Sequence, residues 1–286
     1  MKNILFIAVL LCTVKSAWSQ TPIRLGYYLD HDYYQNAAST QVDSAKWRMN
    51  FYGQHKFLRV ENPTWNKAPQ FLIDGHFNVK DAGTFSFLVA NDNYSYFNRT
   101  TLGLGYSTRY EKNGWFLQPG FRIVGNIDNY NLSKIYIPGV TSTDRNQTKL
   151  LADIDMGLAM GWKKLEVQLA YNNLCRSELE VQRQTIIQNR PNWLVGFKYQ
   201  FDLGEKWTLT PFLQAYHERN FTYDVGLQAG VKNRVKFGYQ LRLISVSHIY
   251  HVNVQATKGL QVRLAVGHSS VYPDVNAQLG VSFKLY

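Results

Sequence analysis

His268 and Ser270 stand two residues apart near the C-terminus, with Asp274 a few positions beyond. On an extended chain, residues two apart share a face. The imidazole and the hydroxyl therefore lie side by side, the arrangement in which an imidazole takes the serine proton and readies the oxygen to attack an acyl ester. A third group has to orient the ring. Asp274 is the nearest carboxylate, set off by Pro273, and no Asn or acid on a neighbouring segment is evident. A His and a Ser at a polar rim explain the pair without any chemistry, and that is the weightier reading. The pair is kept as an alternative, a hydrolase of envelope lipids, and no other catalytic residue is expected.

Other chemistry falls faster. Gly103-x-Gly105 lacks the third glycine and the following helix of a dinucleotide site. His217, His248 and His251 are not at a ligand spacing, so neither a metal nor any cofactor is expected. The net charge of +11 comes with no zinc-finger, RNP or basic-helix pattern, so nucleic acid is not expected as a partner. Basic groups facing lipid headgroups or a polar interior account for the excess.

The elements that must position these residues are strands. From Arg99 to Gly125 the chain alternates, with Leu102, Leu104, Tyr106 and Tyr110 on one parity and Thr101, Gly103, Gly105, Ser107 and Arg109 on the other. Past the turn Glu111-Lys112-Asn113-Gly114, Trp115, Leu117, Phe121 and Ile123 oppose Gln118, Gly120 and Arg122. Asn-Gly between such runs marks a tight hairpin. In all, strands begin near Trp47, Gln70, Thr84, Thr100, Trp115, Leu151, Leu165, Trp193, Trp207, Tyr223, Val235, Ile249, Leu260 and Asn276. Short turns fall at every even-to-odd junction, and the longer connections, Asn126 to Lys149 and Cys175 to Asn192 among them, at odd-to-even ones. Outer-membrane barrels segregate their loops in this way, with tight turns on the periplasmic side.

The apolar parity collects Met49 and Phe51, Phe197 and Tyr199, Phe237 and Leu241, and Leu260, Val262, Leu264 and Val266, which is also the parity of His268 and Ser270. Trp115, Trp162, Trp193 and Trp207 at strand ends read as interfacial girdle residues. The opposite parity collects Arg48, Asp74, Arg109, Arg122, Asp153, Asp155, Glu166, Lys198, Asp202, Asp224, Lys236, Arg242 and Arg263, interleaved with Gly and Gln. The expected fold is all-β, a transmembrane up-and-down antiparallel β-barrel of about fourteen strands with those charges facing its lumen. Asp153, Asp155 and Glu166 oppose basic positions elsewhere in the wall, so the lumen holds a salt-bridged network more readily than a wide channel. A passive channel or hydrophobic-solute transporter stands as a further alternative.

Lys2, the apolar run Ile4 to Leu11, and Ala17-Trp18-Ser19 read as a secretory leader over residues 1–19. Residues 20–45 form a polar, Tyr-rich segment that either enters the barrel as a plug or hangs in the periplasm, and residues 46–286 form the barrel. Cys175 has no partner cysteine in the mature chain. Leu279, Val281, Phe283 and Leu285 form an outward row, whereas Tyr286 falls on the other parity, an offset the pattern does not explain.

Asn192 to Tyr216 (NWLVGFKYQFDLGEKWTLTPFLQAY), followed by YDVGLQAG, VKFGYQLR and KGLQVRLAVGH, resembles in order and spacing the C-terminal half of the PorP/SprF-like outer-membrane proteins of the type IX secretion and gliding machinery of Bacteroidota. NPTWNKAPQFLIDGHF, the strand pair around Gly103, and AYNNL from Ala170 to Leu174 are similar to patterns of that family's N-terminal half. The family's Asn-Pro-Ala segment is represented here by Gln35-Asn36-Ala37-Ala38, and its Tyr-Asp pair near the last strands by Gly267-His268. The resemblance implies a non-enzymatic barrel of the bacterial outer membrane that helps secrete or anchor surface adhesins. Its partners would be outer-membrane lipid, a secreted adhesin or other secretion substrate, and periplasmic peptidoglycan-associated and secretion-ring components. No site residue carries over.

Overall fold

Side chains that alternate in type along the chain also alternate in surroundings in the computed structural model. It describes residues 32–40, 45–58, 68–80, 82–94, 97–131, 146–175, 178–181, 184–188, 191–217, 221–232, 234–270 and 274–286. The expected leader, residues 1–19, and residues 20–31 and 41–44 of the segment expected over 20–45 lie outside the described residues. Fourteen strands build one wall: β1 (Trp47–Leu58), β2 (Ala68–Val79), β3 (Gly83–Tyr94), β4 (Phe97–Ser107, resuming at Tyr110–Lys112), β5 (Trp115–Asn131), β6 (Asn146–Trp162) and β7 (Leu165–Asn172), then β8 (Asn192–Tyr199, resuming at Phe201–Leu203), β9 (Trp207–His217), β10 (Phe221–Val231), β11 (Val235–Arg242), β12 (Ser247–Gln255), β13 (Leu260–Ser269) and β14 (Asp274–Leu285). Each pairs antiparallel with its neighbours, and β14 returns to β1 in a register running from Trp47↔Leu285 to Leu58↔Asp274. The expected barrel is the fold. Closure gives every strand of the wall a partner on both sides across its central span, the condition for spanning lipid with strands.

The hairpin between β4 and β5 follows from its turn residues. Asn113 and Gly114 adopt φ of 52° and 77°, the two left-handed positions a type I′ turn needs. At the adjacent turn Lys163 N donates to Gly114 O at 2.8 Å, so two turns of this rim are tied together.

β5 and β6 depart from expectation. Each runs 17 residues, well beyond the roughly 9–11 of a membrane strand, so the connection expected from Asn126 to Lys149 is shorter than the pattern implied. Past Ile127 the apolar alternation stops, but pairing continues on polar contacts. Arg99 Nε and Nη2 donate to Asp128 at 2.7 and 2.6 Å, and Thr148 Oγ1 donates to Asn129 Oδ1 at 2.6 Å. The hairpin of Glu178–Val181 and Gln184–Gln188, inside the connection expected as a loop, forms a separate two-stranded sheet.

The outward parity is uncovered. Leu104 is 71% exposed, Leu150 70% and Ile123 58%, and Phe237, Leu264 and Leu279 continue the belt around the wall. A soluble monomer rarely leaves more than a few hundred Å² of contiguous apolar surface in water, so hydrocarbon is the medium that fits this belt. Aromatic girdles bound it. At the short-turn rim Trp115 stacks on Trp162 with centroids 5.5 Å apart, and Lys163 Nζ lies 4.7 Å from the Trp162 ring centroid. At the opposite rim Trp193 stacks on His217 at 5.5 Å. The parity offset of Tyr286 is resolved: β14 ends at Leu285, and the Tyr286 hydroxyl donates to Lys258 O at 3.1 Å in the neighbouring turn.

Candidate functional site

The inward parity is polar and yet buried. Gln240, Ser282 and Asp128 are fully enclosed, and Gln70, Gln168, Gln118 and Gln214 are nearly so. Inward side chains around a wide water-filled pore would be wetted, so these residues pack against one another and against residues 32–40. Apolar inward groups contribute as well: Leu72, Leu88 and Ala90 cluster with Tyr52 and Tyr33, and Phe212 with Ile249 and Ala265. Among this set the sequence reading missed the apolar inward residues, because on a half-polar face a lone Leu gives no periodic signal.

Most of the expected lumen charges meet partners on the adjacent strand instead of across the interior. Arg122 of β5 donates through Nε and Nη2 to Asp155 Oδ2 of β6 at 3.0 and 2.7 Å. Lys198 of β8 lies 2.9 Å from Glu166 of β7. Arg242 of β11 forks onto Asp224 of β10 at 3.0 and 3.1 Å, and Gln240 Nε2 adds a bond to the same carboxylate at 2.8 Å. All three pairs are directly opposed in register. Asp74 accepts from Asn50 Nδ2 at 2.6 Å, with His76 Nε2 3.0 Å from the same oxygen. Asp153 Oδ1 accepts from the backbone N of Ile154 and Cys175, both at 2.8 Å, fastening the turn after β7. Arg263 donates to the Tyr52 hydroxyl and to Gln261 Oε1; Arg48 is buried and Lys236 half-buried, both on inward parity. Two members of the expected set lie elsewhere. Arg109, with Glu111 at 3.2 Å, and Asp202, with Lys164 at 2.6 Å, sit at the short-turn mouth because their strands end there, and water reaches both pairs. The Arg99 to Asp128 pair, by contrast, went unnoticed in the sequence, since it belongs to the polar extension of β4 and β5.

Residues 32–40 sit inside the wall. A one-turn helix, α1 (Asp32–Gln35), leads into a turn in which Asn36 Oδ1 accepts from Ala38 N at 2.9 Å. Arg122 Nη1 donates to Tyr33 O at 2.9 Å and Nη2 to Tyr34 O at 3.0 Å. Asn172 Nδ2 donates to Gln35 O at 3.0 Å, and Gln118 Nε2 to Thr40 O at 3.1 Å. Hydroxyl pairs join Tyr33 to Ser86 and Thr40 to Ser107, both at 2.6 Å, and the Tyr33 ring stands edge-on to His76. Burial raises the ionisation point of both phenols above the ordinary tyrosine value; Arg122 opposes the shift at Tyr33, and Asp92 adds to it at Tyr34.

His268 faces outward at the rim opposite the short turns. Its ring stacks on His248 at 5.0 Å and on Tyr250 at 6.3 Å, and the Tyr239 hydroxyl lies 2.8 Å from His248 Nδ1. The backbone N of Ser270 donates to Val246 O at 3.0 Å. The Asp274 side chain lies outside the described residues. A stacked aromatic and imidazole group on the lipid face is what an interfacial girdle presents, and nothing in it favours the hydrolase alternative. His217 and His248 are outward on different strands while His251 is buried inward, so the three histidines do not converge.

The sequence profile described as "Type IX secretion system membrane protein PorP/SprF" matches residues 19–286. No curated protein matches the chain. Among solved structures, the toluene transporter TbuX of Ralstonia pickettii is similar with a TM-score of 0.59 at 9% identity, over 88% of this chain and 93% of its own. The monoaromatic hydrocarbon channel CymD gives 0.56 at 9% identity, over 85% and 90%, and the outer membrane protein Omp33 of Acinetobacter baumannii 0.54 at 10%, over 84% and 98%. At such identities the likeness is one of fold.

Proposed function

Because this chain belongs to the PorP/SprF family of type IX secretion system membrane proteins, we propose that it serves that machinery as a structural and docking barrel, helping to secrete or anchor surface adhesins without catalysing a reaction. It resides in the outer membrane. The observation that carries the docking reading is the filled interior: buried Gln, Asp and Arg side chains knit neighbouring strands into a stiff wall, which suits a platform better than a conduit. The surfaces left for partners are the two rims. Each of the six short turns carries an exposed lysine, Lys80, Lys112, Lys163, Lys206, Lys232 and Lys258, a positive collar on the side that faces the periplasm in barrels of this class. Acidic faces of periplasmic peptidoglycan-associated or secretion-ring components fit that collar. The extended β5–β6 hairpin at the other rim offers polar strands to a secreted adhesin.

The test is affinity isolation of the tagged, full-length protein from its native envelope under gentle detergent, with the associated proteins identified by mass spectrometry. A secreted adhesin or a periplasmic secretion component is the expected companion. Repeated isolation of the barrel alone under conditions that keep other envelope complexes intact would refute the docking role.

A further inference from the structure

We propose that the inner wall between β3 and β7 is a peptide-binding groove, that residues 33–40 are its resident ligand, and that their release unseals the lumen. The groove is carved by missing side chains. Gly105, Gly120 and Gly157 are inward positions on three consecutive strands, and a Cβ on them would stand 2.7 Å from the Tyr33 hydroxyl, 2.6 Å from Ala37 O and 2.7 Å from Ala38 N. Any larger residue there collides with the seated segment. The ligand side matches: Asn36, Ala37 and Ala38 are fully buried, so the turn has room only for small residues where it meets the wall.

Recognition is aimed at the main chain. Arg122, Asn172 and Gln118 donate to the carbonyls of Tyr33, Tyr34, Gln35 and Thr40. Side-chain selectivity comes from the hydroxyl pairs Tyr33 with Ser86 and Thr40 with Ser107, and from the two amides between them, Gln35 accepting from Gln214 and Asn36 donating to Leu158 O. The ligand class is therefore a short polar peptide that presents a run of carbonyls around a turn of small residues, with a phenol before it and a hydroxyl after it.

The wall is built to survive the loss of this ligand. Arg122, the main donor, keeps Asp155 as its counter-ion when the segment leaves, so no bare charge is stranded. The Asp74 cluster of β1 and β2 and the Asp224 cluster of β10 and β11 close on their own strands. Residues 33–40 contribute no strand to the barrel, and the chain rejoins the wall at Ala45 and Lys46, which bond to Asn78 and Leu285 at the short-turn rim. The ligand is thus tethered from the side the lysine collar occupies. This inference does not depend on the secretion reading: isolation of partners bears on docking, and the measurements below bear only on the groove.

Two full-length variants test it, each checked for folding by heat-modifiable electrophoretic migration. Tyr33→Ala/Asn36→Gly/Thr40→Ala weakens the ligand and leaves the wall intact; Gly157→Leu fills the groove. Both are expected to raise ion conductance in planar bilayers at least tenfold over the parent. A fluorescent synthetic peptide of residues 32–41 is expected to bind the ligand-weakened variant saturably and lower its current, and to lose that binding when Gly157→Leu is added. A folded ligand-weakened variant that stays sealed, or that fails to bind the peptide, overturns the proposal. Should Gly157→Leu not fold, the ligand-weakened variant alone decides, because none of its changes lies in a strand of the wall.

Discussion

Arg122 and Asp155 face each other across β5 and β6 and meet at 2.7 Å, both almost wholly buried. The same guanidinium also holds the carbonyls of Tyr33 and Tyr34, so one side chain joins the wall's own ion pairing to the segment lodged within it. Breaking a buried pair from one side strands the other charge, at a cost of about 3–5 kcal/mol. Asp155→Asn is expected to lower the unfolding free energy by about that much, read by urea titration of the barrel refolded in vesicles. Asp202→Asn, which cuts a pair open to water at the mouth, is expected to leave the titration unchanged. Equal losses in the two variants would contradict the picture of an enclosed interior.

Leu264 projects from the middle of β13 into the apolar belt, 53% exposed. Leu264→Arg is expected to destabilise the barrel in lipid by about 2–4 kcal/mol, the range for a cation near the bilayer midplane. The same substitution in detergent micelles, which deform around a charge, is expected to cost less. A variant as stable in vesicles as its parent would show that this row does not meet hydrocarbon.

His268 and Ser270 are expected to be dispensable for chemistry. His268→Ala and Ser270→Ala should leave the lipid profile of cells that overproduce the protein indistinguishable from the parent's when acyl release is followed by mass spectrometry. His268→Ala should still loosen the outer rim slightly, since its ring stacks on His248 and Tyr250. Acyl release that depends on either residue would restore the hydrolase reading.

The Tyr33 and Tyr34 phenols give the seated segment a pH response. Burial, the largest cause at both, makes the seated phenols hold their protons more tightly than free ones do. Their contribution to seating is accordingly complete below the ordinary tyrosine range, near pH 10, and fades as pH rises beyond it. Conductance is expected to be flat from neutrality to about pH 10 and to increase above it. In Tyr33→Phe/Tyr34→Phe that alkaline increase should be absent; an unaltered alkaline response there would assign it to other groups.

The wall was legible in the sequence, and its contents were not. Period two fixes which side chains share a face, so the outward Leu104, Phe237 and Leu264 and the inward Arg122, Asp155 and Asp224 could be sorted without knowing any pairing. Asn113-Gly114 marked its hairpin because only a few residues tolerate the two left-handed positions found there. Which cation meets which carboxylate depends on register, and register is set jointly by turn length and by the burial of whole faces. The meeting of Lys198 with Glu166 thus emerges only from the assembled sheet. The ends of β5 and β6 escaped because Asp128, Asn129 and Thr148 hold their pairing by hydrogen bonds, leaving no apolar rhythm to follow. Gln35-Asn36-Ala37-Ala38 has no period at all, and its place opposite Gly120 and Gly157 depends on glycines more than eighty residues away in the chain.

The seam between β1 and β14 joins stretches that lie at nearly opposite ends of the polypeptide, Trp47 beside Leu285. Until that final ribbon arrives, the first one offers its amide groups to anything nearby, and the greasy exterior has no ring to belong to. The ring is therefore expected to close only once the whole chain has reached the bilayer. A truncation that removes only the last dozen residues is then expected to abolish insertion altogether and leave an aggregate, with no smaller cylinder formed in its place.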